Sequence, residues 1–314
     1  VMMHIEANNT YEISGFLYEQ ITPSFTNFVF LFMVISAFGM CCGYFDRILN
    51  NQISLEDFYI KRYKKILPFF AILVLLDIGI SRSKGALVEG FADITLLFGL
   101  FPNDIEVIGV GWFLGLIFAF YLIFPFFCVL VKNKKRAWAA FAISLLLNYI
   151  CGSYFGLGRK NIVYSLCYLI AGALIYLYRK ELEELSQKYW YVSFSFAAAA
   201  VVMYYAISSN TIFTLLVAAS LLIYALGKTR GGVLQNRCTK FFSSISMEVY
   251  LSHMVMFRVI EKLGLNTMIG NGWLQYGVTV VATICGAVVF SVVVKKGIEA
   301  VEKYVPLRTA ISTE

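Results

Sequence analysis

Ten apolar stretches follow one another along the chain, near 25–45, 66–80, 87–101, 109–131, 137–155, 162–178, 189–207, 210–227, 242–261 and 273–294. A hydrocarbon core about 30 Å thick takes about 20 helical residues to cross. Inside lipid every backbone polar group must be satisfied within its own segment, so repeated stretches of this kind read as helices. Composition points the same way, with 60% apolar and 14% charged residues against about 45–50% and about 25% in soluble domains. The sequence therefore predicts an all-α, polytopic integral membrane helical bundle with about 9–10 transmembrane helices. No linker or internal repeat divides it, so residues 1–314 read as one membrane domain.

The segments 66–80 and 87–101 are short for a crossing, and the second carries Glu89 and Asp93. Loop charge helps to place it. If 87–101 does not cross, Arg47, Lys61, Arg62, Lys64 and Lys65 fall on one side with the basic clusters at 132–136, 179–188, 228–240 and 295–308. The other side keeps Arg82, Lys84, Arg159, Lys160 and Lys262, with Arg258 inside a span. Lys and Arg accumulate in cytoplasmic loops, so this reading gives nine full crossings, a cytoplasmic C-terminus, and residues 4–23 on the outer side. The formal charge of +7 is then a property of loops facing anionic lipid rather than a nucleic-acid site.

Seven cysteines, six of them in apolar stretches, show no metal-ligand spacing and read as small buried hydrophobes. No metal is expected. The chain begins Val1-Met2-Met3-His4 without a charged leader region. It reads like the last turn of a helix whose earlier part is missing.

Polar residues within a membrane are costly and mark sites. The only two histidines are His4 and His253. Helical spacing puts Ser246, Tyr250 and His253 on one face, with Glu248 elsewhere. That face either packs through hydrogen bonds or lines a polar cavity. His4, beside Glu6 at a helix exit, is either a solvated interfacial residue or a general base. The run Arg62-Tyr63-Lys64-Lys65-Ile66-Leu67-Pro68 is either ordinary cytoplasmic charge ahead of a helix-opening proline or a cationic pocket for phosphates. Trp112 and Tyr121 are either belt and packing aromatics or part of a third site.

Five segments in order resemble the membrane acyltransferase 3 family, whose members include O-acetylases of cell-surface polysaccharides. His4 resembles the histidine closing the family's first helix. Residues 32–38, Phe-Met-Val-Ile-Ser-Ala-Phe, look like its Phe-Phe-Val-Leu-Ser-Gly-Phe helix. Arg62, Lys65 and Pro68 are similar to its Arg-x-x-Arg-x-x-Pro. Trp112-Phe113-Leu114 through Phe120-Tyr121 and Pro125 resembles its Trp-x-Leu…Phe-Tyr…Pro segment. Ser246…Tyr250-Leu251-Ser252-His253 looks like its Ser-Tyr…Tyr-Leu-x-His. The sequence departs from the pattern at several places. The family's first-helix arginine would fall before Val1, Ile117 and Phe118 stand where many members have a glutamate, Lys65 replaces an arginine, and Ala37 replaces a glycine.

The resemblance implies transfer of an acyl group, usually acetyl from acetyl-CoA, to a hydroxyl of a glycan or lipid-linked sugar at the cell membrane. It implies His4 as catalytic base or transient acyl acceptor and Arg62 and Lys65 as holders of the CoA phosphates. Ser36, Trp112, Tyr121, Ser246, Tyr250 and His253 would line or shape the cavity. The rival reading is a polytopic glycan or lipid transporter without chemistry, with Asp77, Glu248 and Arg258 on its pathway.

Overall fold

Helix starts are written plainly in this chain. Asn133, Asn161, Asn210 and Asn236 each turn a side-chain oxygen onto the first free backbone amides of the helix that follows, for example from Arg136 N at 3.0 Å and Val163 N at 2.8 Å. Such a cap contributes about 0.5–2 kcal/mol. The computed structural model describes residues 1–81, 83–96, 100, 111–228 and 233–304. Among these there is no strand. The helices are α1 (Met2–Glu6), α2 (Leu17–Leu49), α3 (Leu55–Ser81), α4 (Lys84–Ile94), α5 (Trp112–Leu130), α6 (Lys134–Ser153) and α7 (Ile162–Leu177). They continue as α8 (Arg179–Lys188), α9 (Trp190–Ala206), α10 (Thr211–Leu226), α11 (Arg237–Ser244), α12 (Ser246–Lys262) and α13 (Gly272–Tyr304).

The all-α membrane bundle expected from the sequence is what forms. By length and apolarity α2, α5 and α13 can each cross a membrane, and α7 with α8 makes a fourth candidate bent by 74°. The 27 residues of α3 carry Glu56, Asp57, Lys61, Arg62, Lys64 and Lys65 in their first half, so only the second half is lipid-like. The segment 87–101 contributes α4, whose 11 residues span about 16 Å at 1.5 Å per residue, roughly half a crossing. It lies tight on α3: a Cβ on Gly90 would come within 2.5 Å of the Ile78 side chain. Residues 97–99 and 101 of that segment, residues 109–110 of the next, and the loop cations Arg82, Arg230 and Arg308 lie outside the described residues.

Two cations mark opposite ends of α6. Lys134, opening α6, is ion-paired with Glu181 on α8 and stands 4.1 Å from the Tyr178 ring centroid. At the opposite ends of the same helices, Arg159 before α7 meets Trp112 at the start of α5. Two contacts tie these helices together. A Cβ on Gly172 of α7 would sit 2.3 Å from the Val34 carbonyl oxygen and 2.9 Å from the Ala37 Cβ of α2, so these helices touch backbone to backbone, as small residues allow in membranes. The second contact is polar: buried Asn148 donates to the Tyr164 carbonyl at 2.8 Å and accepts from the Thr211 hydroxyl at 2.8 Å, tying α6, α7 and α10. Interhelical hydrogen bonds in membranes average about 0.6 kcal/mol and reach about 1.7. Asn148→Leu is therefore expected to destabilise the bundle by about 1–2 kcal/mol, read as reduced resistance to unfolding by an ionic detergent.

Candidate functional site

The single turn α1 is clamped before any chemistry is considered. Ile5 is fully buried against Tyr18, Phe257 and Tyr276. The Tyr276 hydroxyl donates to the Met2 carbonyl at 3.2 Å. Asn8 caps the turn by donating to the His4 carbonyl at 2.8 Å and accepts from Arg258 at 3.1 Å. Residues four apart share a helix face. On α12, therefore, the face that holds Ile5 through Phe257 presents His253 one turn earlier. The outcome is a pair of histidine rings, His4 and His253, with centroids 5.1 Å apart.

The tautomer of His253 follows from its partner. Its Nδ1 lies 2.6 Å from the Tyr250 carbonyl oxygen, and a carbonyl only accepts, so Nδ1 carries the hydrogen. In the neutral ring Nε2 is then a bare acceptor. It is buried and has no hydrogen-bond partner.

Both rings line a cavity of about 370 Å³ together with Met3, Thr26, Phe28, Phe32, Trp112, Arg159 and Tyr250. Small-molecule sites occupy roughly 300–1,000 Å³, so the space is of small-molecule size. Tyr250 reaches the wall from α12, its ring edge-on to Phe113 at 5.7 Å. Arg159 donates to the Thr26 hydroxyl, and its guanidinium carbon is 5.4 Å from the Trp112 ring centroid.

A second cavity, about 360 Å³, opens nearer the start of α12, between α3 and α13. Lys64, Lys65, Pro68, Ser243, Ser244, Ser246, Glu248, Lys295, Glu299 and Glu302 line it. Lys295 donates to the Ser244 carbonyl at 2.6 Å and lies 3.6 Å from Glu248. Met247 faces this cavity and Tyr250 the first. Three residues of helix separate them, about 4.5 Å of rise.

The residues singled out in the sequence thus divide among three places. His4, Trp112, Tyr250 and His253 come together in the first cavity; Lys65 and Ser246 line the second. Arg62 turns into the bundle, donating to the Tyr44 hydroxyl, with its guanidinium carbon 4.6 Å from the Tyr44 ring centroid and 5.7 Å from that of Tyr121. Its Nε–H is buried without an acceptor. Ser36, half-buried on α2, lines neither cavity. Sequence reading treated Arg159 as one of a few loop cations on the outer side. That departure from the basic-loop pattern was the one available signal for a site residue.

The order of these segments, helix end to helix start, matches a known family model. Described as an acyltransferase domain, it covers residues 1–292. The chain belongs to the acyltransferase 3 family. No curated protein and no solved structure matches it. Membership makes acyl transfer the general chemistry of the chain. The two histidines and the two cavities along α12 are its features with chemical content.

Proposed function

We propose that this family member is a membrane O-acyltransferase that moves an acyl group, acetyl in the first instance, from acyl-CoA to a hydroxyl of a cell-surface or lipid-linked glycan. The observation that carries this reading is the meeting of His4 and His253 on one cavity, with the His253 Nε2 buried and without a partner among the described residues.

A sugar hydroxyl is a poor nucleophile until its proton is taken. His4, half-buried at the cavity wall, takes that proton as the hydroxyl oxygen forms its bond to the thioester carbonyl carbon. His253, fixed in orientation by the Tyr250 carbonyl, accepts a hydrogen bond or the proton at Nε2. The carbon–sulfur bond then breaks, and the histidine returns the proton to the CoA thiolate, so atoms and charge balance. Transient acylation of His4 is the variant of the same scheme. The Tyr250 hydroxyl is the nearest candidate donor to the oxyanion.

Lys65, with Lys64 and Lys295, holds the CoA phosphates in the second cavity. The end bearing the basic loops is then cytoplasmic, the histidine cavity opens towards the outer side, and α12 is the partition across which the acyl group is handed. A transporter would keep its charges on a pathway. Here Glu248 pairs with Lys295, and Arg258 with Glu261 at 2.6 Å, at the helix ends.

The test is purified protein in proteoliposomes with labelled acetyl-CoA and a panel of glycans. Label covalently bound to a glycan is expected from wild type. Lys64→Gln/Lys65→Gln is expected to raise the KM for acetyl-CoA about tenfold, the size of a lost charge-assisted hydrogen bond, with kcat little changed. Glycan crossing the bilayer unmodified, with no label attached, would replace the enzyme by the transporter.

A further inference from the structure

Among the described residues Arg159 is the one charged side chain on the histidine cavity, and nothing in the family scheme above uses it. Its lining is otherwise aromatic, aliphatic or neutral: Met3, Phe28, Phe32 and Trp112 beside His4 and Tyr250. Arg159 enters this wall half-buried, from the short connection between α6 and α7. A guanidinium carries five N–H donors in a planar fork. Among the described residues one protein acceptor, the Thr26 hydroxyl, is engaged, and no carboxylate pairs with Arg159. Its stacking over Trp112 holds the fork in place without neutralising it. Arg258, the other cation near α1, is by contrast paired with Glu261 and Asn8.

A half-desolvated cation with no counter-charge among the described residues is costly. In an apolar-walled cleft its field is focused on whatever enters. We propose that Arg159 is an anion subsite for the acceptor: the molecule to be acylated carries a negative group, either a sugar carboxylate or the phosphate of a lipid-linked sugar, which docks on the Arg159 fork while a neighbouring hydroxyl faces His4. This rests on the acyl-transfer reading for the word acceptor, but the anion preference is a binding property in its own right. The fork geometry matches the planar, two-oxygen face of a carboxylate and two oxygens of a phosphate alike.

The experiment is therefore a binding measurement on the full chain in nanodiscs, by thermophoresis, with three probes: an oligogalacturonate trisaccharide, its methyl ester, and a short polyprenyl phosphate. Wild type is expected to bind at least one of the two anions about tenfold more tightly than the neutral ester. Arg159→Gln is expected to erase that difference and Arg159→Lys to keep part of it, since a point charge survives without the fork. Dependence on Arg159 for the trisaccharide identifies a sugar carboxylate; dependence for the polyprenyl phosphate alone identifies the lipid carrier's phosphate. Equal binding of acid, ester and polyprenyl phosphate by wild type, or anion binding unchanged in Arg159→Gln, would overturn the proposal. The outcome is separable from the catalytic reading, because His4→Ala is expected to keep the anion preference while losing transfer. Preference without any labelled product from wild type would sink the acyltransferase scheme and leave the anion site standing.

Discussion

His4→Ala is expected to lower the kcat for acetyl transfer by about 10²–10⁴-fold, the usual contribution of a positioned general base, with the KM for acetyl-CoA little changed. In the proposed scheme the donor phosphates bind at Lys64, Lys65 and Lys295, which line the other cavity, so removing an imidazole from the histidine cavity should leave donor binding untouched. Folding should survive. The turn is anchored by the buried Ile5 and by backbone contacts to Tyr276 and Asn8, not by the His4 ring, and half-exposed substitutions away from such anchors stay within about 0.5 kcal/mol. His253→Gln tests the partner. It keeps most of the side-chain volume but removes the aromatic Nε2, so a large loss in this variant with a small one in His4→Ala would make His253 the base. Wild-type turnover in His4→Ala together with wild-type turnover in His253→Gln would remove the histidine pair from the mechanism. The measurement is initial rate of label transfer at saturating donor, on protein whose thermal unfolding has been checked.

Gly172→Val is expected to have the largest effect on stability. Even the Cβ of alanine at this position would meet the Val34 carbonyl oxygen at 2.3 Å, Ala37 Cβ at 2.9 Å and Phe38 N at 2.9 Å. Two of these atoms are backbone and cannot rotate away, so α2 and α7 would have to move apart. Overpacking in a well-filled core costs about 1–3 kcal/mol and occasionally more. In lipid there is no hydrophobic drive to draw the helices together again once close contact is lost. Stacked Phe30 and Tyr168, 4.2 Å apart at the same interface, would separate too. Gly172→Ala should lower the unfolding temperature in detergent clearly, and Gly172→Val should leave little monodisperse protein. A Gly172→Val variant of wild-type stability would show that α2 and α7 pack less closely than described. The glycine would otherwise be disfavoured in a helix, by about 0.5–1 kcal/mol relative to alanine, so close approach is what it supplies.

Much of the fold was legible in order along the chain. Apolar stretches are local signals and lie on helices, but the basic clusters expected in loops fall largely within helices: Lys61, Arg62, Lys64 and Lys65 in α3, Arg179, Lys180 and Lys188 in α8, and Lys295, Lys296 and Lys303 in α13. The doubt over 87–101 was legible for the same reason, since Glu89 and Asp93 interrupt the pattern and only α4 forms there among its described residues. Site residues were legible only as types. His4, Trp112, Tyr250 and His253 could be named from their motifs, yet helical spacing grouped Ser246 with Tyr250 and His253, whereas one face of α12 serves two cavities in turn. Arg62 and Lys65, three apart, looked like one phosphate clamp; in the bundle one turns to Tyr44 and the other to α13. Arg159 was counted as loop charge.

The sequence by itself determined that this chain is an all-α membrane bundle, because burial of apolar side chains and satisfaction of the backbone are decided segment by segment. It also carried the family, because five short motifs in order survive without knowledge of what they touch. Only the tertiary structure decided that residues 4 and 253 share a wall, that residue 159 brings a charge to it, and that the lysine cavity lies one helical turn away. Those are contacts between segments far apart in the chain. They are set by where Ile5, Gly172 and Phe257 let the helices come together, and no local pattern contains that distance.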